Sequence, residues 1–295
     1  MATEDPAASE RRRLDLRVDS SFWRRAMRGG AVYGPGPFVR FSPPLFGAAF
    51  AAAMPRVRAR VRENVRRARG RASLADVLGV FANYACSLTE AFAVGSGRNE
   101  RLVAEVSGDD VYRRARAVGR GVIVVTAHTS GWYAAGPILR SVYDDPVLVV
   151  MQHERDADAE SIQGRTRRAL GVEVAYVGDD PLAALPLLSH LKKGGVVAIQ
   201  IDRLPSRSRG LGVPFLGGTM EMPTGPLQLA ALSGAPIISV LGRRAGFLDY
   251  VIEVTGGWTL PRRAEPDVVA GVARDIARVV ERFVRAHPTH WFHFA

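Results

Sequence analysis

The chain has 295 residues, of which 47% are apolar, and a formal net charge of +11. This length and composition exclude a disordered chain, and the single cysteine excludes an intramolecular disulfide and a multi-cysteine metal site. Lys192 and Lys193 are the only lysines, so arginine carries the positive charge, which favours phospholipid head groups or acidic carrier proteins as partners. Nucleic acid is not predicted as a partner, because the basic runs are not interleaved with aromatic residues.

The N-terminal third is predicted to be a tail followed by helices. Residues 1–18 are polar and are predicted to be disordered, and they lack the apolar core of a secretory signal, which predicts a cytoplasmic protein. Residues 19–100 are predicted to form a helical extension from amphipathic runs such as 56–71 and 73–94. The apolar segment 43–55 is too short to span a bilayer and is flanked by arginines. It is predicted either to lie in the head-group plane of a membrane or to be an ordinary buried helix.

Residues 101–295 alternate apolar, β-branched runs with helical segments. The predicted strands lie at 121–126, 146–151, 172–177, 195–201, 236–241 and 250–254. The predicted helices lie at 131–141, 157–170, 181–192, 224–233 and 267–286. This alternation predicts an α/β fold, a three-layer sandwich with a largely parallel central sheet and a helical N-terminal extension.

His128 is the most prominent candidate for chemistry. It follows the apolar run Val122 to Thr126, at the carboxyl end of a predicted buried strand, where open α/β sheets gather their active sites. An imidazole titrates near neutrality and can take a proton from a hydroxyl or an amine. We therefore predict that His128 is a general base; the alternative is a structural histidine with satisfied hydrogen bonds.

A set of segments then follows in a distinctive order: Arg165 on a helix, Asp202 after a strand, Val213-Pro-Phe-Leu-Gly-Gly218, Met222-Pro-Thr-Gly and Ser233-Gly-Ala-Pro-Ile-Ile238. In this order and spacing the chain resembles the bacterial lipid A lauroyl/myristoyl acyltransferases and, more broadly, the lysophospholipid acyltransferase superfamily. The resemblance covers about residues 55–294 and is most specific over residues 191–240.

The resemblance implies that His128 deprotonates the acceptor while an Asp or Glu five residues later orients the imidazolium. Here that position holds Tyr133, whose phenol carries no charge at neutral pH. Three interpretations stay open: His128 acts alone or with Tyr133, a carboxylate from elsewhere substitutes, or the protein is a non-catalytic lipid- or acyl-carrier-binding relative. Asp202 is the first candidate for the substitute carboxylate, because it also ends a strand; Glu154 and Asp156 are the others.

The remaining predicted site residues concern charge stabilisation and substrate binding. Arg165 matches the family arginine of the active cleft, which implies that it holds a phosphate or an oxyanion, unless it is simply solvated. Gly131 and the loop after His128 are predicted to present backbone N–H groups to the oxyanion. Trp132, the next residue, is predicted to bind substrate. Phe215 and Gly217 are implied to shape the acceptor or acyl groove.

The predicted function is an acyltransferase on the inner face of the cell membrane. It would move a fatty acyl group from an acyl-carrier-protein or coenzyme A thioester to a hydroxyl or amine of a lipid or specialised-metabolite acceptor. Neither a metal nor another cofactor is predicted. His287, His290 and His293 share a spacing of three, but Pro288 interrupts any helix that would stack them. An anionic membrane surface is the other predicted partner.

Overall fold

A computed structural model describes residues 21–98, 101–153, 157–177, 184–205 and 210–294. The tail predicted over residues 1–18 lies outside these ranges, as do Glu154, Asp156 and the predicted start of a helix at residue 181. Up to residue 98 the described chain is helical, with α1 (Ser21–Tyr33), α2 (Gly36–Phe41), α3 (Pro43–Ala53), α4 (Pro55–Arg69) and α5 (Leu74–Val94). A proline in the first turn begins each of α2, α3 and α4, where its missing N–H costs no hydrogen bond.

Helix α5 is the central helix of this N-terminal part. It begins with a capping box, in which Ser73 Oγ accepts the backbone N–H of Asp76 and the Asp76 carboxylate accepts that of Ser73. By length and composition α5 is apolar enough to cross a bilayer, but two thirds of its most apolar window is buried inside the protein. That burial, against α1, α3 and α4, is typical of a core helix.

A seven-stranded sheet forms the centre of the rest of the described chain, in the order β1-β9-β8-β2-β5-β3-β4. Its strands are β1 (Val103–Ser107), β2 (Val122–Thr126), β3 (Val147–Gln152), β4 (Glu173–Val177), β5 (Val196–Gln200), β8 (Ile237–Gly246) and β9 (Asp249–Trp258). Neighbouring strands run parallel except β8 and β9. A separate antiparallel hairpin contains β6 (Gly210–Phe215) and β7 (Gly218–Pro223).

Helices cover both faces of the sheet. They are α6 (Asp109–Ala117), α7 (Trp132–Tyr143), α8 (Ala157–Ala169), α9 (Ala184–Lys192), α10 (Gly225–Ser233) and α11 (Pro266–Ala286), and a 3-10 turn follows at Pro288–His290. On one face Ile123 packs in a cluster with Leu227 of α10 and Ile276 of α11. On the other face Val124 packs with Ala134 and Ile138 of α7. The predicted three-layer α/β fold is therefore confirmed.

The sheet register determines where the chemistry-bearing residues lie. β2 and β5 are adjacent and parallel, and Thr126 is paired directly with Gln200. The residues two positions beyond this pair are His128 and Asp202. Both strands therefore deliver a polar side chain to the same edge of the sheet.

Three elements were not predicted from the sequence: β1, α6 and the β6–β7 hairpin. β1 is a partly exposed edge strand, so it lacks the continuous apolar run of the buried strands. The hairpin contains Pro214 and several glycines, which indicate a loop. Its two-residue turn places Leu216 and Gly217 at φ values of 49° and 73°, and such positive values suit a tight hairpin turn.

Candidate active site

His128 and Asp202 form a hydrogen-bonded pair at the carboxyl ends of β2 and β5. The His128 Nδ1 lies 2.7 Å from Oδ1 of Asp202. Because a carboxylate can only accept, Nδ1 carries the hydrogen and Nε2 is left as the acceptor in the neutral ring. The His128 side chain is 27% exposed, whereas that of Asp202 is fully buried. This is the arrangement of a general base whose carboxylate partner fixes the tautomer.

The Asp202 carboxylate is held by further donors. The backbone N–H of His128 points at both oxygens, at 3.2 and 3.1 Å, and the Trp291 indole donates to Oδ2 at 2.9 Å. Burial would raise the pKa of Asp202, but the charge and N–H of His128, with the nearby charge of Arg203, hold it well below its usual value. Asp202 is therefore ionised at neutral pH and places a negative charge against the His128 ring.

The C-terminal segment is joined to the loop that carries His128. The N–H of Phe292 donates to the His128 carbonyl at 2.6 Å, and that of Ser130 donates to the His290 carbonyl at 3.0 Å. Trp291 also forms an isolated antiparallel bridge with Thr129. The aromatic C-terminal segment is thus part of the wall of the site.

Tyr133 does not take the place of the motif acid. It lies in the first turn of α7 and packs in an apolar cluster with Leu88, Phe92 and Ile162. The guanidinium of Arg167 lies 5.5 Å from the centre of its ring. Among the described residues no hydrogen bond links Tyr133 to His128. Of the three interpretations of the altered motif, the geometry favours a carboxylate from elsewhere, Asp202.

The structure does not bring Arg165 to the pair. Its side chain is exposed on α8 and donates to Ser161 of the same helix, and no contact with His128 or Asp202 occurs in the described ranges. The buried arginine of this helix is Arg167, which is 7% exposed and stacks on Tyr133. Arg165 and Arg167 lie on different faces of α8, and the sequence does not show which face is buried.

Gly131 is required by packing and does not donate to an oxyanion. Its N–H donates to the Gly242 carbonyl at 2.9 Å, and a Cβ at this position would lie 2.3 Å from the Gly242 Cα. The next N–H, of Trp132, donates to the Thr129 carbonyl at 3.1 Å. The Trp132 side chain instead lines an apolar pocket that runs under α7 from Thr126.

Residues that lie close to the pair in the chain or pack against Trp291 carry buried polar atoms without partners. Gln200 Nε2, Arg203 Nε, Thr129 Oγ1 and His293 Nδ1 are buried and have no hydrogen-bond partner among the described residues. Buried donors without partners are costly unless a ligand satisfies them. Sequence reasoning missed Gln200 and Arg203, although both flank Asp202 in the chain.

Phe215 and Gly217 lie in the β6–β7 hairpin. Phe215 is buried and packs edge-on against Trp291, with ring centres 5.6 Å apart. Trp291 in turn donates to Asp202, so Phe215 supports the pair only through Trp291. Gly217 is exposed in the turn. This turn is fixed by Arg67, which donates to the Leu216 carbonyl, and by Glu281, which accepts the Leu216 N–H.

The three C-terminal histidines have different polar or aromatic partners. His290 Nδ1 lies 2.7 Å from Ser130 Oγ, His287 Nε2 lies 3.8 Å from Glu253, and His293 stacks on Trp291. In the part of the chain that the structure describes, no group of three or more His, Cys, Asp or Glu side chains could hold a metal ion.

Comparisons with known proteins show which family the chain resembles. A family model described as bacterial lipid A biosynthesis acyltransferase matches residues 31–295. Phosphatidylinositol mannoside acyltransferases from two strains of Mycobacterium tuberculosis are 27% and 26% identical over 63% and 75% of this chain. One from Mycolicibacterium smegmatis is 26% identical over 71% of it. The matches cover 57%, 73% and 68% of these relatives, so the chain spans little more than half of the first.

Among solved structures, the 1-acyl-sn-glycerophosphate acyltransferase PlsC from Thermotoga maritima matches with a TM-score of 0.39 and 13% identity. This match covers 83% of this chain and 97% of that one.

Proposed function

The chain belongs to the bacterial lipid A biosynthesis acyltransferase family, and from that premise we propose that it transfers a fatty acyl group from a thioester to a hydroxyl or amine of a lipid acceptor. The donor is an acyl carrier protein or coenzyme A thioester, and His128 is the general base. The observation that carries the proposal is the 2.7 Å hydrogen bond between His128 Nδ1 and the buried, ionised Asp202.

The mechanism follows from the protonation of the pair. Nε2 of His128 takes the proton of the acceptor while the acceptor oxygen or nitrogen attacks the thioester carbonyl. Asp202 stabilises the imidazolium that forms. When the tetrahedral intermediate collapses, the C–S bond breaks and the imidazolium returns the proton to the leaving thiolate. No covalent acyl-enzyme is needed.

The oxyanion of that intermediate requires donors, and Gly131 does not supply one. We assign this role to the buried donors beside the pair, Gln200 Nε2 and Arg203 Nε, which have no partner within the described ranges.

The charged partner of His128 also affects which acceptors this base can deprotonate. A histidine without a carboxylate would be restricted to intrinsically nucleophilic acceptors, whereas the Asp202 pair supports deprotonation of a sugar or glycerol hydroxyl. The alternative, a non-catalytic lipid- or acyl-carrier-binding relative, is disfavoured because Asp202 remains buried and paired with His128. Burying a carboxylate is costly, and a protein that only binds has no need of it.

The surface of the N-terminal helices supports membrane attachment. Large apolar side chains are exposed on α1, α2 and α3: Tyr33, Phe38, Phe41, Leu45 and Phe46. Behind them an apolar cavity of about 130 Å³ opens between these helices. Exposed apolar groups beside arginines suit the head-group plane of an anionic membrane, so we propose a peripheral location on the inner face of the cell membrane.

A basic helix beside this surface suits the acyl carrier. Arg56, Arg60 and Arg62 are exposed on α4, and their charge is complementary to that of an acidic protein. Because this attraction is electrostatic, carrier binding should weaken as salt rises.

The test is acyl transfer by the purified full-length chain, with acyl-carrier-protein and acyl-CoA donors and lipid acceptors that carry hydroxyls or amines. His128→Gln is expected to lose about 10²–10⁴-fold in turnover, as removal of a general base does. The matched control is His153→Gln, which changes an exposed histidine just beyond the end of β3. Wild-type protein that consumes no thioester with any acceptor, or a fully active His128→Gln, would overturn the proposal.

A further inference from the structure

We propose that Trp291 is a positioning residue for this reaction: its indole N–H holds one oxygen of Asp202 so that the other faces the Nδ1 of His128. The inference rests on the proposed function, which it extends to a residue in the C-terminal segment. Trp291 affects the reaction through Asp202 and His128, and it is not itself a catalytic residue.

The two oxygens of Asp202 have different side-chain partners. Oδ1 accepts from His128 Nδ1 at 2.7 Å, and Oδ2 accepts from Trp291 Nε1 at 2.9 Å. The third donor, the backbone N–H of His128, is shared between both oxygens at nearly equal distances and does not select one of them. The indole is therefore the donor that holds Oδ2 and leaves Oδ1 to accept from His128 Nδ1.

This donor is shielded from bulk solvent. The Asp202 side chain is fully buried, and Trp291 is 6% exposed. His293 Nδ1 lies 4.0 Å from Oδ2, which is beyond hydrogen-bond distance. Without the indole, Oδ2 keeps only its share of the His128 backbone N–H, at 3.1 Å, and the carboxylate can then rotate.

The indole is itself fixed relative to the base. Trp291 bridges to Thr129, the neighbour of His128, and the next residue, Phe292, donates to the His128 carbonyl. Its ring also packs between Phe215 and His293, at centre distances of 5.6 and 5.0 Å. His128, Asp202 and Trp291 are therefore in contact with one another, although His128 and Trp291 are 163 positions apart in the sequence.

Trp291→Phe removes the N–H and keeps an aromatic ring. We expect kcat to fall about ten-fold with KM within about two-fold, because the change acts on the base and not on substrate binding. Without the indole donor the charge of Asp202 is less neutralised, so the acidic limb of the kcat/KM profile should move to higher pH. Simple loss of folded enzyme would lower the amplitude and leave the position of that limb unchanged.

The decisive experiment combines kinetics with proton NMR of the His128 Nδ1–H, assigned by its absence in His128→Gln. Trp291→Phe should shift this resonance, whereas Trp258→Phe, which removes the indole of a tryptophan on β9, should not. In an Asp202→Asn background, Trp291→Phe should change kcat by less than two-fold, because its effect passes through the carboxylate.

An unchanged resonance and an unmoved acidic limb in Trp291→Phe would overturn the inference, as would full additivity with Asp202→Asn. If the wild-type protein transfers no acyl group, the proposed function fails, and the resonance still shows whether Trp291 acts on the pair. The two failures are therefore distinguishable.

Discussion

His128 and Asp202 are 74 residues apart in the chain and share a 2.7 Å hydrogen bond, because β2 and β5 are adjacent and end in register. The acid that supports the imidazole therefore comes from across the sheet and not from the following helix turn. Tyr133, at the position of the family's motif acid, faces Arg167 and an apolar cluster instead. The altered motif thus leaves the histidine with a charged partner.

Gly131 should be intolerant of any side chain. A Cβ there would meet the Gly242 backbone at 2.3 and 2.6 Å, and that backbone cannot move without disturbing β8. We expect Gly131→Ala to lower the free energy of unfolding by about 1–3 kcal/mol and to displace the His128 loop, with loss of turnover. Urea denaturation and kinetics measure both effects.

Gly271→Ala is the matched control, because nothing lies within 4 Å of a Cβ at that helical position. It should stabilise the protein by about 0.5–1 kcal/mol. If the two variants behaved alike, the close approach of Gly131 to Gly242 would not exist in solution.

His290 should make the protein less stable in mild acid. Burial, followed by the neighbouring positive groups, lowers the pKa of His290 to about 4, below the 6.5 of a free histidine. The unfolded chain therefore binds a proton between pH 6.5 and 4 that the folded chain does not, so stability is complete above that window and falls as the pH drops through it. The expected loss is about 3 kcal/mol by pH 4.

Urea denaturation as a function of pH tests this expectation. His290→Gln should flatten the slope in that window, whereas His153→Gln, which changes an exposed histidine, should leave it as in wild type. His287, whose pKa is also lowered by burial and by Arg243, contributes a slope of the same sign and remains in both variants. An equal slope in wild type and His290→Gln would show that His290 is not held neutral by the fold.

The exposed apolar surface of the N-terminal helices should govern membrane binding. Phe41 and Leu45 are 66% and 72% exposed, and replacement of both by serine removes apolar area that would enter the head-group region. Sedimentation with phosphatidylglycerol vesicles should show about a ten-fold or greater loss of affinity. Wild-type binding should also weaken as salt rises.

Leu185 and Leu232 provide the control, since they are 55% and 59% exposed on α9 and α10, far along the chain from α1–α3. Their replacement by serine should leave vesicle binding unchanged. Equal losses in the two double variants would place the membrane contact elsewhere.

The sequence predicted the parts of the site that depend on local pattern. The apolar runs of β2 and β5 are strong strand signals, and the position of a residue after each strand was sufficient to select His128 and Asp202. That Asp202 pairs with His128 could not be predicted with certainty from these patterns, because the pairing depends on the order of strands in the sheet. That order is set by packing among distant segments, which local patterns do not report.

The contributions of Trp291 and Arg167 were missed for similar reasons. Nothing in the sequence around Trp291 indicates that its indole reaches a residue 89 positions earlier. The choice between Arg165 and Arg167 depends on which face of α8 is buried, and a helix with arginines on several faces leaves that phase undefined. Gly131 was assigned to the oxyanion from position alone, and its contact with Gly242 lies across the sheet.

The most direct test of the account compares kcat/KM for acyl transfer in Asp202→Asn and in Tyr133→Phe. Asparagine keeps the shape of the side chain and removes the charge, so Asp202→Asn should fall by about 10²–10⁴-fold. Tyr133→Phe removes only a hydroxyl that makes no bond to His128 in the described structure, and its kcat/KM should stay within about three-fold of wild type. An active Asp202→Asn beside an inactive Tyr133→Phe would contradict the account and return the supporting role to the motif position.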